Sequence, residues 1–171
     1  MEKLKTQLII LVGIPASGKS TWIEKHFMSY LGYTKVVSRD EIRFSIVKED
    51  EDYFSHEKEV FNKFIEEIKD GLKYCDTTIV DATHINEASR AKLFRALGNS
   101  LKGVKIKAVV IKTPLQRALI QNAQRTGRKF VPKNQIVRMY YSFRQPTLEE
   151  GFDEIWTYIG DKLEIETKEM N

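Results

Sequence analysis

Apolar, β-rich runs recur along the chain at QLIILVG (7–13), TKVVS (34–38), TTIVD (77–81), VKIKAVVIK (104–112) and DEIWTYI (153–159). The first and third are almost continuously apolar, the pattern of strands covered on both faces of a parallel sheet. Between the runs the apolar period changes to about 3.6 residues. YFSHEKEVFNKFIEEIKDGLKY (53–74) places Phe54, Val60, Phe61, Phe64, Ile65, Ile68 and Leu72 near that period. A helix over Ser20–Leu31 follows a glycine turn, and NEASRAKLFRALG (86–98) has Asn86 as its cap and Gly98 as its stop. Pro114 opens a further helix. Pro132 opens another that runs to about Arg144, where Pro146 prevents continuation. Strands alternating with helices predict an α/β fold: a five-stranded parallel sheet, flanked by helices and joined by right-handed crossovers. No internal repeat, low-complexity tract or linker interrupts the 171 residues, so one domain over 1–171 is expected.

Composition narrows the setting. The longest uninterrupted apolar stretch, Leu8–Val12, is far too short to span a bilayer, and MEKLKTQ lacks the apolar region of a signal peptide. No membrane contact is expected, and a cytoplasmic location is. The one cysteine, Cys75, forms no internal disulfide and offers no metal-ligand spacing; it reads as an ordinary thiol. The net charge of +4 hides a sharper pattern. Between Glu87 and Glu149 there is no acidic residue but there are 14 lysines and arginines, and the last 23 residues carry eight acids against two lysines. If the basic block shares a face it makes a positive field for a polyanion; otherwise it is a solvated surface neutralised by acids from elsewhere.

The first apolar run ends in candidate chemistry. Gly13, Ile14, Pro15, Ala16, Ser17, Gly18, Lys19, Ser20 and Thr21 fit the P-loop pattern, Gly-x-x-x-x-Gly-Lys-Ser, between a strand and a helix. Glycines let successive backbone N–H groups turn inward around an anion, and the helix adds its positive end. Lys19 can reach β- and γ-phosphate oxygens, and the Ser20 hydroxyl can ligate Mg²⁺. ATP with Mg²⁺ is the expected ligand, and the fold becomes a P-loop NTPase fold. Switch GTPases, AAA-type motors and small kinases all share this loop, so the residues at the neighbouring strand ends must discriminate.

The second strand ends in SRDEIR, where Asp40 and Arg43 lie three apart. A helical turn brings both to one side, where the carboxylate could accept a proton from a hydroxyl and the arginine could fix an acceptor anion. The alternative is a helix cap by Ser38 or Asp40 with Arg43 merely exposed. The third strand ends in IVDATH. Asp81 stands where an acid can orient Mg²⁺, the acceptor or an arginine. Thr83 follows as an acceptor-side candidate; His84 could donate to a phosphate, but a plain loop or structural role is expected of it. His26 and His56 read as surface residues. In NAQRTGRKFVP, Arg125 and Arg128 bracket Gly127 beside Lys129, a short basic lid able to close over a triphosphate and stabilise the transferring phosphoryl. Arg125 is favoured for that role and Arg128 competes.

GIPASGKSTW (13–22), SRDEIR (38–43), VDATHIN (80–86) and RTGRKFVP (125–132), in that order, resemble the phage-type polynucleotide 5′-kinases within the small P-loop kinases. The resemblance implies transfer of the γ-phosphoryl of ATP to a 5′-hydroxyl end of DNA or RNA, in the host cytoplasm if phage-encoded. It implies Asp40 as general base and Arg43 as the holder of the acceptor's 3′-phosphate. Lys19 and Ser20 are then donor-site residues, Asp81 an acid near the acceptor, and Arg125 the lid arginine, at the cost of a one-residue gap. No DxDGT-type motif lies in these residues, so 3′-phosphatase activity is not expected.

Two other functions fit the same cradle. A kinase of a small hydroxylated metabolite, nucleotide sugar or antibiotic differs only in its acceptor pocket. A nucleotide-dependent binding module or motor needs a switch element, or a glutamate after the third-strand acid to activate water; here Ala82 follows Asp81 and that loop holds no such glutamate. Tyr140, Tyr141 and Phe143 could stack on bases, but core packing is their expected use.

Overall fold

A computed structural model describes residues 5–26 and 32–168. Strands β1 (Gln7–Val12), β2 (Thr34–Ser38), β3 (Thr77–Asp81), β4 (Lys105–Lys112), β5 (Glu154–Ile159) and β6 (Lys162–Thr167) form a six-stranded sheet in the order β2-β3-β1-β4-β5-β6. The pairings among β1 to β5 are parallel, as the apolar runs predict, and β6 adds antiparallel to β5. The sixth strand is a correction to the expected five. KLEIET is exposed at every position, so it carries no buried run to announce it. Its signal is the Gly160-Asp161 turn, with Gly160 at φ 59°, a two-residue hairpin connection.

Helices are α1 (Lys19–His26), α2 (Arg39–Ile46), α3 (Glu57–Tyr74), α4 (Glu87–Leu97), α5 (Leu115–Ala123) and α6 (Lys133–Ser142). The expected extension of the first helix over 27–31 lies outside the described residues. Among the described residues no helix is long and apolar enough to cross a membrane. Asn86 caps α4 as read from sequence, its side chain accepting from the Ser89 N–H at 2.9 Å. The helix expected from residue 53 starts only at Glu57, because His56 takes the left-handed conformation (φ 58°) and breaks the run. The stretch 53–56 forms a turn that delivers Tyr53 and Phe54 to the cavity described below.

The main apolar cluster joins Leu8, Ile10, Val12 and Val80 of the sheet to Phe64, Ile68 and Leu93 of α3 and α4. A second cluster sets Ile9, Leu11, Ile79 and Val109 against Trp22 of α1. Alternate residues of β1 thus serve opposite faces, which is why its run is unbroken in apolar residues. His26 is half-buried, stacked on Trp22 at 4.6 Å, rather than a free surface residue.

The basic block divides. Arg90 is wholly buried: Nε and Nη2 donate to Glu150 at 2.6 and 2.9 Å, and Nη1 donates to the His84 and Arg144 carbonyls at 2.9 and 3.0 Å. Lys105 and Lys107 pair with Glu154. Acids of the chain's end therefore neutralise these three cations, while Arg125, Arg128 and Lys129 line the cavity. Arg90→Ala leaves Glu150 and two carbonyls without their donor. It is expected to lower unfolding stability by about 3–5 kcal/mol in a urea titration. Arg90→Lys recovers only part, since an ammonium cannot reproduce the fork.

Candidate active site

Parallel strands bring their carboxyl ends to one edge. There β3 lies between β1 and β2, with Ser38 opposite Asp81 in register. The loop after β1, the helix after β2 and the loop after β3 therefore converge by topology. They line one cavity of about 800 Å³, together with the segment 125–132.

At one end is the loop 13–20. A Cβ on Gly13 would lie 2.5 Å from Ser17 Oγ and 3.1 Å from the Ile111 carbonyl, so the loop starts where only glycine fits. Gly18 has open space but a φ of 103°, a conformation that L side chains rarely adopt. The loop is tied to its neighbours by Gly13 N–H to the Thr83 carbonyl (3.0 Å) and by Thr113 Oγ1 to the Ser17 carbonyl (2.7 Å). Ser17 Oγ is buried and has no hydrogen-bond partner among the described residues, a polar atom inside the cradle that an anion would satisfy. Lys19 folds back, Nζ donating to the Gly13 and Ile14 carbonyls at 3.0 and 2.9 Å. Burial of its ammonium lowers its pKa to about 8; Asp81 and Asp40 oppose that shift and Arg125 adds to it.

For a divalent cation the cavity offers the Ser20 hydroxyl and the Asp81 carboxylate. A hydroxyl and a carboxylate, completed by phosphate oxygens and water, are the hard oxygen donors that Mg²⁺ prefers. Burial pushes the Asp81 carboxyl above its ordinary range; Lys19 and Arg125 pull it down, and Asp40 and Glu41 add to the rise.

Opposite the loop sits the amino-terminal half of α2. Ser38 is its cap, accepting from the Glu41 N–H at 3.4 Å, so Asp40 is not used as one. Asp40 Oδ1 accepts from Tyr53 Oη at 2.9 Å and from Arg43 Nη1 at 3.3 Å. Arg43 is buried, with Nη2 donating to Glu57 at 2.6 Å and its guanidinium 4.6 Å from the Tyr53 ring centre. Arg39 also pairs with Glu57. Burial opposes ionisation of Glu57, but the Arg43 hydrogen bond and both guanidinium charges outweigh it, and the carboxyl lies below its ordinary range.

On the remaining wall, Arg125 and Arg128 part company. Arg125 donates to the Lys129 carbonyl at 3.3 Å, and its charge bears on Lys19 and Asp81. Arg128 donates to the Val47 and Phe44 carbonyls at 2.6 and 3.4 Å. Thr83 and His84 both line the cavity; His84 is otherwise buried, its ring stacked against Phe64 (centroids 6.2 Å). Burial, then the Arg39 charge, drives the His84 pKa down to about 3, so the ring is neutral. Tyr140 and Tyr141 are 38% and 70% exposed, against the expected core packing, and Phe143 is partly buried as expected. Arg39, Tyr53 and Glu57 have no sequence signal of their own. Tyr53 and Glu57 hide in a stretch that reads as one amphipathic helix, and Arg39 reads as a neighbour of Asp40.

The family model for AAA domains designated AAA_33, a P-loop kinase family, matches residues 8–146. The chain belongs to that family. AAA_33 membership brings nucleotide binding at the P-loop. Similar solved structures include the Pnkp1/Rnl/Hen1 RNA repair complex (23% identity, 82% of this chain and 44% of that one, TM-score 0.68). Others are Chaetomium thermophilum Kti12 in complex with ADP-AlF3 (14%, 90% and 89%, 0.63) and a gluconokinase from Sinorhizobium meliloti 1021 (15%, 91% and 84%, 0.52). At these identities the likeness to each establishes the fold of this AAA_33 chain, which spans less than half of the RNA-repair chain it matches.

Proposed function

We propose that this chain transfers the γ-phosphoryl group of ATP to a 5′-hydroxyl end of DNA or RNA. One juxtaposition carries the conclusion: Asp40 and Arg43, one helical turn apart, share a cavity with the P-loop, and the Asp40 charge acts on the Lys19 ammonium. The loop amides and Lys19 hold the β- and γ-phosphates, and Ser20 with Asp81 would hold Mg²⁺. When bound, Mg²⁺ draws charge from the phosphate oxygens and orients them. Both hydrogen bonds found at Asp40 fall on Oδ1, which leaves Oδ2 to take the proton of the attacking hydroxyl. The bond from the 5′-oxygen to the γ-phosphorus forms as the bond to the β,γ-bridging oxygen breaks. Arg125 neutralises charge on the group in flight, and Arg43 holds an anion of the acceptor. Positioning and electrostatics supply most of the rate.

A second reading, a kinase of a small hydroxylated metabolite, is favoured by Glu49 and Glu51. These line the acceptor side of the cavity and would repel a polyanion. Labelled-phosphate transfer from ATP to 5′-hydroxyl oligonucleotides, run against a panel of sugars, nucleosides and hydroxylated antibiotics, separates the two. Labelling of oligonucleotide ends that weakens steeply with salt is expected. Labelling of a small acceptor alone overturns the proposal.

A further inference from the structure

We propose that Arg128 is a positioning residue that ties the donor-side lid to the acceptor-side helix, so that nucleotide binding and acceptor binding reinforce each other. This rests on reading the two ends of the cavity as donor and acceptor sites.

The segment between α5 and α6 is fixed at its base. Asn122, buried, donates through Nδ2 to the Val131 carbonyl at 2.7 Å and accepts the Val131 N–H at 3.0 Å. Its outer part has little else to hold it. Thr126, Gly127, Lys129 and Phe130 are exposed, and Gly127 has nothing within 4 Å of where a Cβ would stand. Arg128 is the exception. It crosses to α2, where Nη2 donates to the Val47 carbonyl at 2.6 Å and Nη1 to the Phe44 carbonyl at 3.4 Å. Its guanidinium lies 4.5 Å from the Phe44 ring centre. These carbonyls lie at the end of α2 and at the residue that caps it, where no following turn among the described residues satisfies them and where the helix dipole favours a cation. Two donors held in one plane and a face to stack on are what a guanidinium offers and an ammonium does not.

Phe44 follows Arg43 directly, and Asp40 lies one turn earlier on the same eight-residue helix. The far end of that short helix is thus bonded to the lid, three residues beyond Arg125. A nucleotide that draws Arg125 inward would steady α2 through Arg128, and an acceptor that steadies α2 would hold the lid closed. Linkage requires the two effects to be equal in binding.

Amide hydrogen exchange on the full chain, with and without a non-hydrolysable ATP analogue and Mg²⁺, tests this alongside nucleotide affinity by calorimetry and the acceptor KM. In the wild type the analogue is expected to slow exchange over both 125–131 and 39–47. In Arg128→Ala the slowing over 39–47 is lost, nucleotide affinity without acceptor stays within about twofold, and the acceptor KM rises roughly tenfold. Arg128→Lys, keeping one donor and the charge, falls between. The proposal is overturned if protection of 39–47 persists in Arg128→Ala. It is also overturned if that variant loses nucleotide affinity without acceptor as heavily as Arg125→Ala, which would make Arg128 a phosphate ligand. If the wild type phosphorylates no oligonucleotide, the acceptor assignment fails while the exchange experiment still decides the coupling.

Discussion

Replacing Asp40 by Asn is expected to cut phosphoryl transfer to a 5′-hydroxyl acceptor by about 10²–10⁴-fold, the range of a positioned general base. The side chains are nearly isosteric, so α2 keeps its cap at Ser38 and Tyr53 keeps an oxygen to donate to. What Asn cannot do is accept the hydroxyl proton. The donor cradle, built from the loop 13–20 and fastened to Thr83 and Thr113, is held by bonds that do not involve Asp40, and the Asp40 charge is the smallest of the influences on Lys19, so nucleotide affinity should change by no more than about twofold. Single-turnover transfer and calorimetric titration with ATP check the two halves separately. Turnover at the wild-type rate would remove Asp40 from the mechanism. Loss of nucleotide binding in step with turnover would mean that the substitution disturbed the loop instead.

The parallel sheet and the phosphate loop were legible for a shared physical reason. A strand covered on both faces must be apolar throughout, as β1 is, and a backbone nest for an anion needs glycine where φ is positive or space is short, as at Gly18 and Gly13. Both constraints are local and leave a local mark. β6 carries none, because an exposed edge strand is under neither constraint. The α2 side of the cavity was legible only as far as Asp40 and Arg43, which sit in the turn that follows a recognisable strand. Tyr53 and Glu57 reach Arg43 across 10 and 14 residues, after a left-handed His56 redirects the chain, and no periodicity encodes that redirection.

The same distinction separates Arg125 and Arg128. Sequence puts both in one basic loop and makes them rivals for a single role. Their partners differ only in three dimensions: Arg125 acts on Lys19 and Asp81, whereas Arg128 bonds carbonyls more than 80 residues away in the chain. Arg90 carries a parallel lesson. It counts toward a positive block in the sequence, yet in the fold Glu150 neutralises it and it contributes no free charge to the cavity.

Lys19→Met is expected to lower transfer by about 10²–10³-fold, as removal of one charged donor from a developing anion does, and to erase two pH effects that the wild type shows. With its ammonium buried, Lys19 has a pKa of about 8 against an ordinary 10.5. Phosphate oxygens stabilise the charged form, so the nucleotide complex holds this proton to higher pH than the free protein does. Nucleotide affinity should therefore fall as pH rises past about 8, with proton uptake on binding that calorimetry in buffers of different ionisation enthalpy would detect. The effect on folding has the opposite sign. Between about pH 8 and 10.5 the unfolded chain holds the Lys19 proton more tightly than the folded one, so this group's contribution to stability rises with pH across that window. Denaturant titrations of wild type and Lys19→Met should converge or diverge accordingly: the wild type gains relative to the variant as pH increases from 8 to 10.5. A wild-type affinity for ATP that stays flat through this range would show that the ammonium is not the group receiving the phosphate charge, and the loop would then hold its anion by backbone amides alone.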